Sequence, residues 1–240
     1  MPSRLHRRQY PARRLPVSTV LAFDCAVSGQ GVAIVRDGVS LVTLVEEGRE
    51  QAARLLPAIA AALDQAGVAR RELELIAVTT GPGSFTGVRV GLSAARGLAV
   101  GLGIPLAGIS TTTVLRAQAP ATDRLVVAAV DTKLGDWFCT IGAEATPFAA
   151  TAGDVAAHLA DCACLIVGKD VDPLVRSLLA AGLDAVAHDG PPDPTVLGRL
   201  AESAGVEMWR GRNREEGLPR PLYLRGVNIT LPDGARRTVE

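Results

Sequence analysis

The chain has 240 residues, and its 25 lysines and arginines balance 25 aspartates and glutamates. A neutral chain has no overall field to hold nucleic acid, which excludes a protein that binds RNA by bulk charge alone. Hydrophobic residues make up 48% of the chain and aromatic residues only 3%, so aliphatic side chains must fill the core. No run of 18 apolar residues occurs, and the four cysteines lack metal-site spacing, so we expect a reduced, cytoplasmic protein without a membrane span.

The first half of the chain predicts strands and helices in the order β-β-β-α-β-α-β. An apolar strand over 20–26 is followed by a turn, a second strand, the hairpin signal Asp37-Gly38 and a third strand. Apolar residues at helical spacing predict a helix over 49–66. The continuous apolar run at 73–80 is typical of a strand buried on both faces, and a glycine-rich loop joins it to a second helix and a further strand.

The second half repeats the opening shape. Residues 21–35 (LAFDCAVSGQGVAIV) and 127–141 (VAAVDTKLGDWFCTI) both consist of an apolar strand, an aspartate, a glycine-bearing turn and another strand. Asp24 and Asp131 take the same place in the two segments. Alternating helices and strands follow, and the pattern at 194–209 predicts one long final helix.

This repetition predicts an α/β protein with a duplicated, two-lobed actin-like fold of the ASKHA (sugar-kinase or Hsp70-like) type, each lobe a mixed sheet with helices. We expect a basic, disordered extension over 1–18, an N-terminal lobe over 19–109, a C-terminal lobe over 110–226 and a tail over 227–240. In such a fold the two strand–aspartate–turn units face the cleft between the lobes.

The loop TTGPGSFTGVR at 79–89 resembles a phosphate cradle but fails two nucleotide templates. A Walker A loop needs Lys and Ser or Thr after its last glycine, and Gly87 is followed by Val88. A dinucleotide fingerprint needs a third glycine where Thr86 stands. Two interpretations remain: a tight strand-to-helix crossover, which we favour, and an anion or nucleotide contact at the helix N-terminus. The second would use Asp24, Gly81, Gly83, Ser84, Thr86 and Asp131.

Small residues line one side of the helix that follows the loop, and small residues let another backbone approach closely. We therefore predict a partner interface on this side, together with apolar residues of the preceding helix. The predicted interface consists of Leu56, Ile59, Gly87, Gly91, Ala94, Ala95 and Leu98.

Five segments of the sequence resemble those of a known family. Between about residues 19 and 226 the chain resembles the TsaB (YeaZ) family. The segments that carry this resemblance are LAFDCA, LLPAI, TTGPGSFTGVRVGLSAARGLAVGLGIPLAGIST, VDTKLGDWF and PLYLRG. The resemblance implies the actin-like fold and a non-catalytic scaffold or dimerisation subunit. Such a subunit binds its paralogue TsaD and supports the ATPase TsaE, and the face that binds TsaD can also support a homodimer.

The resemblance also implies the reaction that the complex performs. The threonylcarbamoyl group is transferred to the adenosine next to the anticodon of tRNAs that read ANN codons, and this chain reaches tRNA through the complex. It implies no cofactor in this chain, because ATP and a metal belong to the partner subunits. The metal-bearing paralogue has an HxxxH pair in its first long helix, whereas the histidines here are His6, His158 and His188. We therefore expect no metal site and no metallopeptidase activity.

Two alternatives stay open. An ATP-dependent phosphotransferase of the sugar-kinase type would use Asp24, Asp131 and the glycine loop. Direct binding to tRNA would use a basic stretch near the C-terminus, although charge runs are more often solvated helix ends, which is the interpretation we favour. This stretch consists of Arg210, Arg212, Arg214, Arg220 and Arg225.

Overall fold

Two five-stranded sheets with the same strand order form the frame of the protein. The computed structural model describes residues 18–48, 50–142, 146–225, 227–230 and 236–239. The predicted extension therefore lies outside the described residues, except for Ser18. The tail contains an antiparallel hairpin of β11 (Val227–Thr230) and β12 (Arg236–Val239).

The first sheet has the order β3-β2-β1-β4-β5, and the second has the order β10-β9-β6-β7-β8. In each sheet the first three strands along the chain are antiparallel neighbours, and the last two join in parallel. The strands of the first sheet are β1 (Thr19–Asp24), β2 (Gln30–Arg36), β3 (Val39–Glu46), β4 (Leu75–Thr79) and β5 (Leu106–Ile109). Those of the second are β6 (Leu125–Asp131), β7 (Trp137–Ile141), β8 (Phe148–Ala150), β9 (Cys164–Gly168) and β10 (Ala185–Asp189).

Helices cover both faces of the two sheets, which explains why β1, β4 and β9 are buried along their whole length. The helices are α1 (Gln51–Ala66), α2 (Phe85–Leu102), α3 (Thr111–Ala117), α4 (Ala152–Leu159), α5 (Asp172–Ala180), α6 (Pro194–Ala204) and α7 (Val206–Glu216). α1 and α2 share one face of the first sheet, and α6 packs on the other. The predicted duplication and two-lobed α/β fold are confirmed.

The prediction of one final helix over 194–209 is wrong. Gly205, at φ +88°, ends α6, and α7 starts at the next residue. Although both helices follow the second sheet along the chain, α6 packs on the first, where Gly198 permits close approach to Val35. Trp209 on α7 donates its indole N–H to the Ala201 carbonyl at 2.9 Å. The limits of the two lobes at 109 and 110 stay a prediction.

Among the described residues, no helix combines the length and apolar character needed to cross a membrane.

Candidate functional site

A cleft of about 1020 Å³ lies between the two lobes. Its walls come from the carboxyl ends of strands in both sheets and from the segment after α7. The lining segments are the β1–β2 turn at 26–29, the glycine loop at 82–86, the β6–β7 turn at 131–134, Lys169 with Asp170, and 222–225. Clefts at the carboxyl ends of strands in α/β proteins are where ligands bind, so this is the candidate site.

The two matched aspartates make the same local bond but have different surroundings. Asp24 accepts a hydrogen bond from the Ala26 backbone N–H at 3.1 Å, and Asp131 accepts one from the Lys133 backbone N–H at 2.6 Å. Asp131 faces the cleft and also contacts the Lys133 ammonium at 2.9 Å. Asp24 is buried and accepts a further hydrogen bond from the Thr79 hydroxyl at 2.5 Å.

Burial raises the pKa of Asp24 to about 6, although its hydrogen bonds from Thr79 and Ala26 act in the opposite direction. The Asp24 carboxylate does not line the cleft. The structure therefore places Asp131 at the candidate site, and it places Asp24 underneath, where its bonds fix the β1–β2 turn.

The glycine loop is pressed against that turn. A Cβ on Gly83 would lie 2.2 Å from the Ala26 carbonyl oxygen, and one on Gly87 would lie 1.9 Å from the Cys25 carbonyl oxygen. The Ser84 backbone N–H donates to the Ala26 carbonyl at 2.6 Å, and the Ser84 hydroxyl caps α2 by accepting from Gly87. These contacts support the tight crossover that the sequence favoured, because only glycine fits at two of its positions.

The same loop keeps a surface towards the cleft. Gly83, Ser84 and Thr86 line it, whereas Gly81 is buried with φ +94°. Anion or nucleotide contact by these residues and Asp131 stays a prediction.

An arginine beside two aromatic rings lies at the edge of the cleft, and its contact with Tyr223 was not predicted from the sequence. The Arg89 guanidinium carbon lies 3.4 Å from the centre of the Phe85 ring, and Arg89 Nε donates to the Tyr223 hydroxyl at 2.9 Å. The segment carrying Tyr223 is fixed on the loop, since the Leu222 N–H donates to the Thr80 carbonyl at 2.8 Å. Only the motif PLYLRG signalled this segment in the sequence.

Part of the predicted partner interface faces inward. Gly87 and Gly91 are buried, and a Cβ on Gly91 would lie 3.5 Å from Val78 of the sheet below. Ile59 and Ala95 belong to the core of the first lobe. The small size or apolar character of these four residues serves packing inside the chain, and their part in a partner interface stays a prediction.

The outer side of α1 and α2 carries the remaining predicted residues and several that were missed. Leu56 is 56% exposed, while Ala94 and Leu98 are half-buried. We call this surface the outer ridge, and it also includes Ser93, Gly97, Val100 and Gly101, of which Val100 is 71% exposed. A Cβ on Gly97 or Gly101 would meet no atom within 4 Å. Whether a partner binds there stays a prediction.

The C-terminal arginines are mostly engaged within the chain. Arg210 contacts Glu207 at 3.1 Å and Arg212 contacts Glu216 at 2.9 Å, both along α7. Arg225 forms an ion pair with Asp136. This arrangement supports the favoured interpretation of a solvated helix end over an RNA-binding stretch.

The two histidines among the described residues lie on different elements of the second lobe. His158 on α4 bonds through Nδ1 with the Asp154 carbonyl at 2.8 Å and lies beside Phe148, and His188 is on β10. Within the part of the chain that the structure describes, no three His, Cys, Asp or Glu side chains form a group that could hold a metal ion.

The duplicated sheets and the cleft between them define a two-lobed protein of the actin-like class. Two solved structures from Pseudomonas aeruginosa share this arrangement. One, an uncharacterized protein with similarity to peptidase YEAZ, has a TM-score of 0.70 at 28% identity and covers 87% of this chain and 100% of its own. The other, YeaZ, has a TM-score of 0.66 at 27% identity and covers 86% of this chain and 100% of its own.

Sequence comparisons point to the same relatives. The family model described as TsaD, tRNA N6-adenosine threonylcarbamoyltransferase, matches residues 46–164. The tRNA threonylcarbamoyladenosine biosynthesis protein TsaB of Escherichia coli is 34% identical over 119 residues, which is 49% of this chain and 52% of that protein. The protein of the same name from Bacillus subtilis is 31% identical over 118 residues, 49% of this chain and 52% of that protein.

The matched segment thus spans about half the length of these curated relatives. The resemblance to the TsaB (YeaZ) family that the sequence motifs indicated is confirmed by the sequence relatives and the solved structures together.

Proposed function

We propose that this chain acts in tRNA threonylcarbamoyladenosine biosynthesis as a non-catalytic scaffold that binds TsaD. The names of the relatives support the pathway. The TsaD family model matches this chain as well, which supports a paralogue that pairs with TsaD. In this proposal TsaD transfers the threonylcarbamoyl group to the adenosine beside the anticodon of ANN-reading tRNAs, and the ATPase TsaE acts on the assembled complex.

The observation that carries the scaffold role is the outer ridge. Glycine in a helix interior costs about 1 kcal/mol relative to alanine. Gly97 and Gly101 contact no other described part of the chain that would require glycine. A surface that brings another helix close does require it, because small residues allow short interaxial distances. Val100 follows Gly97 by one helical turn, and Val100 and Leu56 are exposed apolar side chains of α2 and α1 that a partner would bury.

The proposal assigns no catalytic group to the cleft. The Asp131 carboxylate is already bonded to Lys133, and Asp24 lies buried below the surface. ATP and the catalytic metal belong to the partner subunits in this proposal, and the chain itself carries no cofactor. The chain forms a homodimer through the same outer ridge when TsaD is absent.

The test uses Gly97→Arg with Gly211→Arg as its matched control. Both glycines lie inside helices, and a Cβ added at either one would have no atom within 4 Å, so both variants should fold. Gly97→Arg should weaken the complex with TsaD of the same organism at least about tenfold and lower tRNA modification with it. Gly211→Arg should leave both unchanged.

Two results would contradict the scaffold role. The first is full affinity of Gly97→Arg for TsaD, which would place the interface elsewhere. The second is undiminished tRNA modification by TsaD and TsaE when this chain is omitted. Gly91→Arg is unsuitable for this test, because its side chain would enter the core and unfold the lobe.

The alternative, an ATP-dependent phosphotransferase, has one observation in its favour: a cleft large enough for a nucleotide, with Lys133, Lys169 and Asp131 on its walls. Calorimetric titration of the isolated chain with Mg-ATP separates the two proposals. Micromolar binding that Asp131→Asn abolishes would support the phosphotransferase.

A further inference from the structure

Two aromatic side chains and an arginine form an exposed cluster where helix α2 meets the cleft. Phe85 and Tyr223 are 41% and 46% exposed, which makes them the two most exposed aromatic residues of the described chain. Their ring centres lie 5.9 Å apart. Only 3% of the chain is aromatic, and two such residues stand side by side at the surface. Aromatic residues and arginine are the types most enriched in protein interfaces, so the composition of this cluster is that of a contact surface.

The arginine of the cluster, Arg89, is fixed by contacts within its own chain. Its guanidinium carbon lies 3.4 Å from the centre of the Phe85 ring, and its Nε donates to the Tyr223 hydroxyl at 2.9 Å. The segment that carries Tyr223 is itself bonded to the glycine loop through Leu222 and Thr80. Arg89 is therefore ordered before it meets any ligand, which lowers the entropic cost of binding one.

The two terminal nitrogens of Arg89 remain available. Within the part of the chain that the structure describes, no carboxylate lies close enough to Arg89 to form an ion pair. Arg96, two turns further along α2, differs because its guanidinium donates to the Pro219 carbonyl at 3.0 Å. The terminal nitrogens of an arginine form a planar fork that matches the two oxygens of a carboxylate.

Arg89 also lies on the side of α2 that forms the outer ridge. Arg89, Ser93 and Gly97 follow one another at intervals of four residues, and all three are exposed, so they lie along one face of the helix. At ~1.5 Å per residue, Arg89 is about 12 Å from Gly97 along the helix axis. A partner helix that packs at Gly97 can therefore reach Arg89 with a side chain about two turns away.

We propose that Arg89 binds a carboxylate on the TsaD helix that covers the outer ridge, an inference that rests on the scaffold function proposed above. Phe85 and Tyr223 hold the guanidinium in place and present apolar surface to the residues beside that carboxylate. The outer ridge then has an apolar part around Val100 and a charged end at Arg89. This asymmetry gives the partner helix a defined direction.

The surroundings of Arg89 favour a protein carboxylate over the other two occupants, RNA and a second copy. Binding to an RNA backbone takes several free cations. Arg96 is already bonded to a carbonyl, and Arg225 forms an ion pair with Asp136. Helix α2 contains no acidic residue, so a second copy that packed its α2 against this one would leave Arg89 without a carboxylate.

The test is the affinity of Arg89→Gln for TsaD of the same organism, with Arg71→Gln as its matched control. Both arginines are exposed, so both variants should fold, which thermal unfolding checks. At about 0.05 M salt Arg89→Gln should bind TsaD at least about tenfold more weakly than the native chain, and the difference should shrink at about 0.5 M because salt screens exposed charges. Arg71→Gln should bind like the native chain at both salt concentrations. Arg89→Lys keeps the charge without the fork and should restore only part of the affinity.

Tyr223→Phe separates the positioning of Arg89 from the shape of the surface, because it removes the hydroxyl and keeps the ring. It should weaken TsaD binding in the native background and have no further effect in Arg89→Gln, since the hydroxyl acts through the guanidinium. Equal effects of Tyr223→Phe in the two backgrounds would contradict this positioning role.

Three outcomes would overturn the proposal, and they can be told apart. Native affinity of Arg89→Gln at low salt, while Gly97→Arg still weakens the complex, would refute the carboxylate contact and leave the scaffold function standing. No binding of TsaD by the native chain would refute both. Unchanged TsaD affinity of Arg89→Gln, with weaker tRNA binding by the assembled complex, would assign Arg89 to an RNA phosphate.

Discussion

The buried carboxylate of Asp24 makes the stability of the first lobe depend on pH in an unusual direction. Raising its pKa from 3.8 to about 6 by burial corresponds to about 3 kcal/mol, at ~1.4 kcal/mol for each pH unit. The folded state holds the proton more tightly than the unfolded state does. This group therefore destabilises the fold above pH 6 and loses that effect as the pH falls towards 4.

Asp24→Asn removes the charge and keeps an oxygen that can accept from Ala26 and Thr79. The free energy of unfolding of the variant minus that of the native chain should rise by up to about 3 kcal/mol between pH 4 and pH 7. Taking the difference cancels the other titrating groups, which are common to both proteins. Urea unfolding at half-unit pH steps, followed by circular dichroism, measures it.

Thr79→Val supplies an independent check. Its hydroxyl donates to the ionised carboxylate and lowers the Asp24 pKa, so removing it should move the pH-dependent region upwards. A stability difference between Asp24→Asn and the native chain that stays constant, or that falls from pH 4 to pH 7, would refute the assignment of a buried, proton-binding carboxylate.

Two further substitutions test packing around the loop and at β5. Gly87→Ala should lower the free energy of unfolding by at least about 3 kcal/mol, because the added Cβ would overlap the Cys25 carbonyl oxygen. Gly97→Ala should instead raise the free energy of unfolding by about 0.5–1 kcal/mol, because the space around Gly97 is open and alanine favours the helix. Urea midpoints compare the two, and equal effects would contradict the described helix orientation. Asn213→Leu should lower the free energy of unfolding, measured by thermal unfolding, by about 1–3 kcal/mol. The Asn213 amide accepts a hydrogen bond from the Leu106 backbone N–H at 2.7 Å and donates one to the Leu106 carbonyl at 3.0 Å. No loss of stability would mean that water replaces the Asn213 side chain.

The duplication could be predicted from the sequence because its signal is local. A strand, an aspartate and a turn lie within 15 residues in each half, and the aspartate bonds the backbone two residues on in both. The strand order of each sheet then follows from hairpins and helical crossovers, which restrict the topology. The return of α6 to the first sheet could not be predicted, because it depends on contacts between residues such as Val35 and Gly198, far apart in the chain.

The sequence also could not predict which side of α2 faces outward. Small residues at a spacing of three or four occur on both sides of this helix, and periodicity identifies a stripe without saying what covers it. The structure separates two uses of glycine in one helix. Gly87 is required because the Cys25 carbonyl leaves no room for a Cβ, whereas Gly97 and Gly101 face open space. Small residues without a neighbour in the chain leave room for another backbone to approach, which is the basis of the proposed partner surface. The inner side of α2 therefore packs against the cleft loop and the sheet, and the binding of a second protein to the outer side stays a prediction.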